Sequence, residues 1–237
     1  MSTLISGYMA QTGLATVSWE NLVMFAIAGL LVYLAVAKDA EPLLLVPIAF
    51  GMVIANIPPE ATGVFTPGTG IMWILQQGLM LGIYPPLIFL GIGAVTDFSF
   101  VLANPKTLFL GAAAQIGIFI TFLAANLMGF SLSDSAAISI IGGADGPTSI
   151  YVASILKSHF LPIIAIASYS YIALIPVLQP PIMKLLTTHK ERAITMGKKL
   201  RRVSKLERIV FPVVATIAIS LIVPQALPLV GMLMLGN

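Results

Sequence analysis

The 237-residue chain contains no cysteine and only two histidines. Disulfides, thiol nucleophiles and cysteine-based zinc or iron–sulfur sites are thereby excluded, and a histidine-rich metal site has no ligands to draw on. Charge is equally scarce. Asp, Glu, Lys and Arg make up 9% of the residues, against about 25% in an ordinary soluble domain. Hydrophobic residues make up 58% and the mean hydropathy is +1.02. One globular core cannot hide that much apolar surface, so the chain reads as an integral membrane protein. A cytosolic or secreted enzyme and a DNA-binding protein are excluded on the same ground. Lys and Arg are also missing from the first eighteen residues, so the N-terminus is not expected to be a cleavable signal.

The charge that is present is unevenly placed. Nine of the twelve Lys and Arg residues fall between Lys184 and Arg208. The positive-inside rule makes 184–208 a basic cytoplasmic loop, and topology anchoring alone accounts for most of that charge. The remainder of the chain reads as apolar runs of about the length that spans a bilayer, roughly twenty residues. They are Asn21–Ala37, Leu43–Ile57, Ile71–Val95, Thr107–Phe130, Ala136–Leu156, Phe160–Met183 and Ile209–Leu235. A charged turn, Lys38–Glu41, follows the first run, and Glu60–Gly70 (EATGVFTPGTG) is a turn-rich linker. Tyr84-Pro85-Pro86 interrupts the third run, because proline lacks a backbone donor and clashes with the preceding turn. The fifth run carries Gly142–Ser149 (GGADGPTS) at its middle. The expected fold is all-α: a single polytopic transmembrane domain over 1–237, with about seven hydrophobic segments and at least two of them broken or re-entrant.

Within the apolar runs each charge is informative. Between Lys106 and Lys157 the only charged residues are Asp134 and Asp145. Asp134 sits in a serine-rich turn and reads as a helix N-cap. Asp145 lies mid-run, where a carboxylate at bilayer depth costs a few kcal/mol and marks a functional site by default. The glycines and proline around it weaken the helix and free backbone carbonyls, which is how broken helices in transporters expose oxygen ligands for Na⁺ or H⁺. Asp145, Thr148, Ser149 and nearby carbonyls would form an all-oxygen cluster suited to a hard cation. A helix-capping role for Asp145 is the competing reading, and the two are compatible. In the next run Tyr169 and Tyr171 point to nearly opposite helix faces, whereas Ser168 and Tyr171 share one. A site tyrosine and a packing tyrosine both remain open for Tyr171. Asp97, in GAVTDF, reads as a helix-end residue or as a further ion or gate ligand.

Five blocks carry a resemblance. They are GAVTDF, LANPKTLFLGAAAQIGIF (Leu102–Phe119), IIGGADGPTSIY (Ile140–Tyr151), YSYIALIPVLQPPIMKLLT (Tyr169–Thr187) and ERIVFPVV. Together they make the chain similar to the β subunit of the sodium-translocating decarboxylases, the family serving oxaloacetate, methylmalonyl-CoA and glutaconyl-CoA decarboxylase complexes. The resemblance implies a pump in a prokaryotic inner membrane. A carboxyltransferase α subunit loads CO₂ onto biotin held by a carrier subunit. The β subunit then decarboxylates carboxybiotin and couples this to Na⁺ export, consuming a proton. A small membrane γ/δ subunit and self-association are further implied partners. The family's Na⁺-binding aspartate falls on Asp145, and the functional tyrosine of its YSY motif falls on Tyr171. The resemblance also implies a longer fold, whose second half carries further ion-site residues that match nothing here. The short 60–70 linker leans towards the acyl-CoA complexes. The readings from other classes are a non-catalytic ion-coupled transporter or channel subunit, and a structural scaffold.

Overall fold

The computed structural model describes residues 12–38, 42–58, 62–195 and 201–237. Asp39–Glu41 of the charged turn, Glu60 of the linker and 196–200 of the basic loop lie outside those residues. Among the described residues all regular structure is helical. In chain order the helices are α1 (Trp19–Ala37), α2 (Pro42–Asn56), α3 (Ile71–Met80), α4 (Tyr84–Val95), α5 (Ser99–Ala103), α6 (Leu108–Ala114) and α7 (Ile116–Leu127). They continue with α8 (Leu132–Ser139), α9 (Gly146–Ile155), α10 (Leu161–Leu186), α11 (His189–Arg192), α12 (Lys205–Ile222) and α13 (Leu227–Gly236).

Three stretches of the described residues are long and apolar enough to cross a membrane: Trp19–Ala37, Pro105–Leu127 and Leu161–Leu186. The bent pair α3 and α4 gives a fourth if it counts as one span. Within the stretch 105–127 only 6% of the residues of its most apolar window are buried. So bare an apolar helix needs lipid or a partner against it. The ends of the 184–208 segment are helical, since α10 runs through Lys184 to Leu186 and α12 begins at Lys205.

The chain divides into two compact units, Met1–Gly78 with Tyr169–Leu186, and Leu79–Ser168 with Thr187–Asn237. In the first, α1 opens with a reciprocal cap. Ser18 N–H donates to Asn21 Oδ1 at 2.8 Å and Asn21 N–H donates to Ser18 Oγ at 3.4 Å, satisfying donors the helix start leaves orphaned. Ala35, Leu45 and Ala173 form its buried cluster, with Leu31, Leu34 and Leu44 packed against them.

The second unit holds the fifth run. That run does not continue as one helix. The start of α8 lies beside the end of α9: Ser133 Oγ donates to the Leu156 carbonyl at 3.2 Å, and Ser158 Oγ donates to Asp134 Oδ1 at 2.6 Å. Ala137 of α8 and Ala153 of α9 share a buried cluster with Leu161 and Ile164. α8 and α9 are therefore an antiparallel pair, joined by a short 3₁₀ turn at Ile140–Gly143 and by Ala144-Asp145. Asp134 is not the N-cap of α8 that the sequence suggested. Ser131 caps the helix, accepting from Asp134 N–H at 3.1 Å, and Asp134 is the third helical residue, where its carboxylate accepts from Ser131 Oγ at 2.6 Å. Its other oxygen is the latch to Ser158.

The run Ile209–Leu235 also departs from a single span. α12 ends at Ile222, and Val223 adopts φ −131, ψ 82 ahead of Pro224. A residue before proline is pushed out of the helical region, and the proline itself cannot donate, so the helix stops there. Residues 208–217 of α12 and 231–237 around the end of α13 line one apolar groove of about 570 Å³, so the chain doubles back. α13 packs closely on α4. A methyl group at Gly93 would lie 1.9 Å from the Leu233 carbonyl oxygen, so only glycine admits this approach. Asn237 then donates to the Thr96 carbonyl at 2.6 Å and to the Gly93 carbonyl at 3.4 Å, which also accepts from Thr96 N–H at 3.2 Å.

Candidate ion site

The turn between α8 and α9 brings oxygen atoms together. Ala144 occupies the left-handed region at φ 55, ψ 40, a conformation that costs a non-glycine residue about 1–2 kcal/mol. This bend ends the 3₁₀ turn and places Asp145 in extended backbone (φ −121, ψ 92) as the N-cap of α9. Pro147, at the second helical position, gives up a donor that would have had no partner there.

Around Asp145 the contacts are short. Its Oδ1 accepts from Thr148 N–H at 3.0 Å and its Oδ2 from Thr148 Oγ at 2.6 Å. Ser149 Oγ donates to the Asp145 carbonyl at 2.7 Å. Asp145 and Thr148 are half-buried and Ser149 is fully buried. The capping role read from the sequence is therefore present. It does not exhaust the carboxylate, because each oxygen has two lone-pair positions and accepts one bond here. Three of the residues singled out in the sequence, Asp145, Thr148 and Ser149, lie in one oxygen-rich turn. Among the described residues no group of three or more His, Cys, Asp or Glu side chains could hold a metal ion. A cation at this turn would depend on hydroxyl and carbonyl oxygens beside a single carboxylate.

The turn is held from one side by α7. Gly117 and Gly142 meet backbone to backbone: a methyl at Gly142 would lie 2.4 Å from Thr121 Oγ and 2.5 Å from the Gly117 carbonyl oxygen. A methyl at Gly117 would in turn lie 2.3 Å from the Gly142 carbonyl oxygen. Neither glycine was marked by the sequence reading as a packing residue. A GxxxT pattern on α7, Gly117 to Thr121, was the available signal, since residues four apart share a helix face.

The other two residues singled out are not part of this turn. Tyr171 belongs to the first unit, on α10, and is 42% exposed. Ser168, three residues earlier, is buried and donates to the Ile164 carbonyl of its own helix at 2.6 Å. Asp97 lies just past α4, beside Phe98, Arg208, Phe211 and Asn237. Ser99 N–H donates to its Oδ1 at 2.9 Å. The Ser99 side chain and backbone, followed by the Arg208 charge, hold the Asp97 carboxyl below the usual carboxylate range.

Comparison with known proteins completes the picture. The chain is 52% identical over 233 residues to a glutaconyl-CoA decarboxylase subunit beta of Acidaminococcus fermentans, covering 98% of this chain and 61% of that protein. It is 52% identical over 233 residues to a methylmalonyl-CoA decarboxylase subunit beta of Veillonella parvula, with the same coverage. A probable oxaloacetate decarboxylase beta chain of Vibrio cholerae is 41% identical over 285 residues, covering 95% of this chain and 66% of that one. The chain thus spans about three-fifths of the length of the first two relatives. The profile of one family, the Na⁺-transporting oxaloacetate decarboxylase beta subunit, matches residues 20–237. The chain belongs to that family.

Proposed function

We propose that this chain forms part of the membrane subunit of a sodium pump that decarboxylates carboxybiotin. The observation carrying the proposal is the oxygen-rich turn at Asp145, a single carboxylate set between two antiparallel half-helices within an apolar run. In this reading Na⁺ is the cargo. Asp145 supplies the balancing negative charge, and Thr148, Ser149 and carbonyls of the turn supply neutral oxygen ligands. Such a set suits a hard cation. Tyr171 is a second functional side chain, able to hand on a proton through its hydroxyl.

The chemistry fits a protonated group near a coupled ion. Loss of CO₂ breaks the bond between the carboxylate carbon and the ring nitrogen, and the electron pair stays on nitrogen. That nitrogen takes up one proton, which makes a positioned acid useful. Biotin itself would arrive on a carrier partner alongside a carboxyltransferase subunit, a small membrane subunit and further copies of this chain.

A topology follows within the second unit. The basic segment 184–208 would lie on the cytoplasmic side of a prokaryotic inner membrane. The 97–106 segment belongs with it, since Arg201 Nη2 donates to the Leu102 carbonyl at 3.1 Å and Phe98 packs on Phe211 with ring centroids 5.5 Å apart. Residues 105–127 then cross outward, and the α8–α9 pair enters from the far side as a re-entrant hairpin. The whole chain would pass the membrane several times, but with fewer full crossings than seven apolar runs suggest. The higher identity to the two acyl-CoA decarboxylase subunits, over alignments about as long as the chain, favours an acyl-CoA complex over an oxaloacetate one.

The test is release of CO₂ from free carboxybiotin by the complete complex, with and without Na⁺. Release should require Na⁺. An ion-coupled transporter or a scaffold would release none in either condition, and that result would end the proposal. In the same assay Tyr171→Phe should lower turnover more than Tyr169→Phe does.

A further inference from the structure

A second cluster, unused by the ion site, lies where the segment after α4 meets the start of α12. Asp97, Ser99 and Arg208 border two adjoining cavities. One, of about 200 Å³, is completed by Thr96, Phe98, Leu102, Phe211 and Asn237. The other, of about 250 Å³, adds Arg201 and Arg202. Both are smaller than the roughly 300–1,000 Å³ of a drug-sized site, which suits a small ring and not a nucleotide or an acyl-CoA.

The charges in the cleft are arranged for a particular kind of ligand. Arg201 is already committed, paired with Glu207 at 2.8 Å and bonded to the Leu102 carbonyl. Arg208 differs. Among the described residues its guanidinium makes no ion pair and no hydrogen bond, although Asp97 lies across the same cavity. A guanidinium and a carboxylate thus face one cleft without closing on each other. A bare anion, such as a phosphate or a lipid headgroup, would be drawn to Arg208 and Arg202 but repelled by Asp97. A bare cation would meet the opposite conflict. A ligand carrying an anionic group on one side and an N–H donor on the other satisfies both. Phe98 and Phe211 supply an apolar wall for the body of such a ligand.

We propose that this cleft receives the carboxylated urea ring of the biotin-bearing partner, with Arg208 holding the ring's N-carboxylate and Asp97 accepting from the opposite ring N–H. This rests on the carboxybiotin reading above. Guanidinium pairs with a carboxylate through two parallel hydrogen bonds, a geometry that lysine cannot reproduce. The site lies at the basic end of the second unit, where a partner approaching from the cytoplasm would arrive.

The test uses the complete decarboxylase complex with free carboxybiotin as probe, at saturating Na⁺, and measures KM, kcat and equilibrium ²²Na⁺ binding in the same preparations. Arg208→Gln should raise KM for carboxybiotin about tenfold or more, equivalent to about 1.4 kcal/mol, and leave ²²Na⁺ binding unchanged. Arg208→Lys should fall between wild type and Arg208→Gln, and Asp97→Asn should raise KM in the same way. If Arg208→Gln fails to assemble, the lysine and asparagine variants decide the matter. Unchanged KM in the variants overturns the proposal, as does a KM change that tracks the anionic lipid content of vesicles into which the complex is reconstituted. A parallel fall in Na⁺ affinity also overturns it. If wild-type complex releases no CO₂ from free carboxybiotin, the fault lies with the underlying reading and not with this cleft.

Discussion

Asp145→Asn is expected to abolish Na⁺-dependent decarboxylation in the complete complex while leaving the subunit inserted and assembled. The two halves of that expectation have different causes. Asparagine caps a helix about as well as aspartate, and its amide oxygen can still accept from Thr148 N–H, so α9 keeps its start. What disappears is the charge. Asp145 is the only charged residue of the run 136–156, so it is the balancing charge that this run offers a cation, and charge–charge interactions are several-fold stronger there than in water. The amide nitrogen also cannot accept the Thr148 hydroxyl, which now donates to Asp145 Oδ2 at 2.6 Å. Activity should fall at least a hundredfold. A rate and Na⁺ dependence equal to wild type would reduce Asp145 to a helix cap.

Gly142→Ala should have the second large effect, through shape and not charge. The added methyl would lie 2.4 Å from Thr121 Oγ and 2.5 Å from the Gly117 carbonyl oxygen, and one of those atoms is backbone that cannot swing aside. The turn must lift away from α7 or strain. Overpacking of this kind costs about 1–3 kcal/mol, and a 1 Å shift of a ligand group is enough to lower turnover a hundredfold. Lower thermal stability together with at least a tenfold loss of Na⁺-dependent decarboxylation is the expected outcome. Gly117→Ala attacks the same contact from the other side, 2.3 Å from the Gly142 carbonyl oxygen, so the double variant should be no worse than the sum and milder than additive. Wild-type stability and activity in Gly142→Ala would mean the turn is not anchored by α7.

Much of this was legible in the sequence because membrane segments make exceptions conspicuous. One carboxylate amid glycine and proline, in a run without other charge, pointed to Asp145 and to a helix break at the same residues. The direction of the chain after that break was not legible. Whether α9 continues α8 or returns beside it depends on Ser133 with Leu156 and Asp134 with Ser158, pairs more than twenty positions apart that no local pattern encodes. Two local signals were available and outweighed. Pro224 marked the end of α12, but the hydrophobicity around it made Ile209–Leu235 look continuous. Ser131, three residues ahead of Asp134, carried the usual spacing of a cap, while the rarer charge drew the assignment to Asp134 itself. Asp97 could be recognised as a helix-end residue. Its juxtaposition with Arg208 arises only when α4, α12 and α13 pack together.

In the proposed pump Asp145 provides the negative charge for a bound Na⁺. Equilibrium ²²Na⁺ binding at fixed pH, on the purified full-length complex and its Asp145→Asn counterpart, tests it most directly. A loss of affinity of at least about a hundredfold, or about 2.7 kcal/mol, is expected in the variant. Equal ²²Na⁺ affinity in the two proteins would contradict the claim.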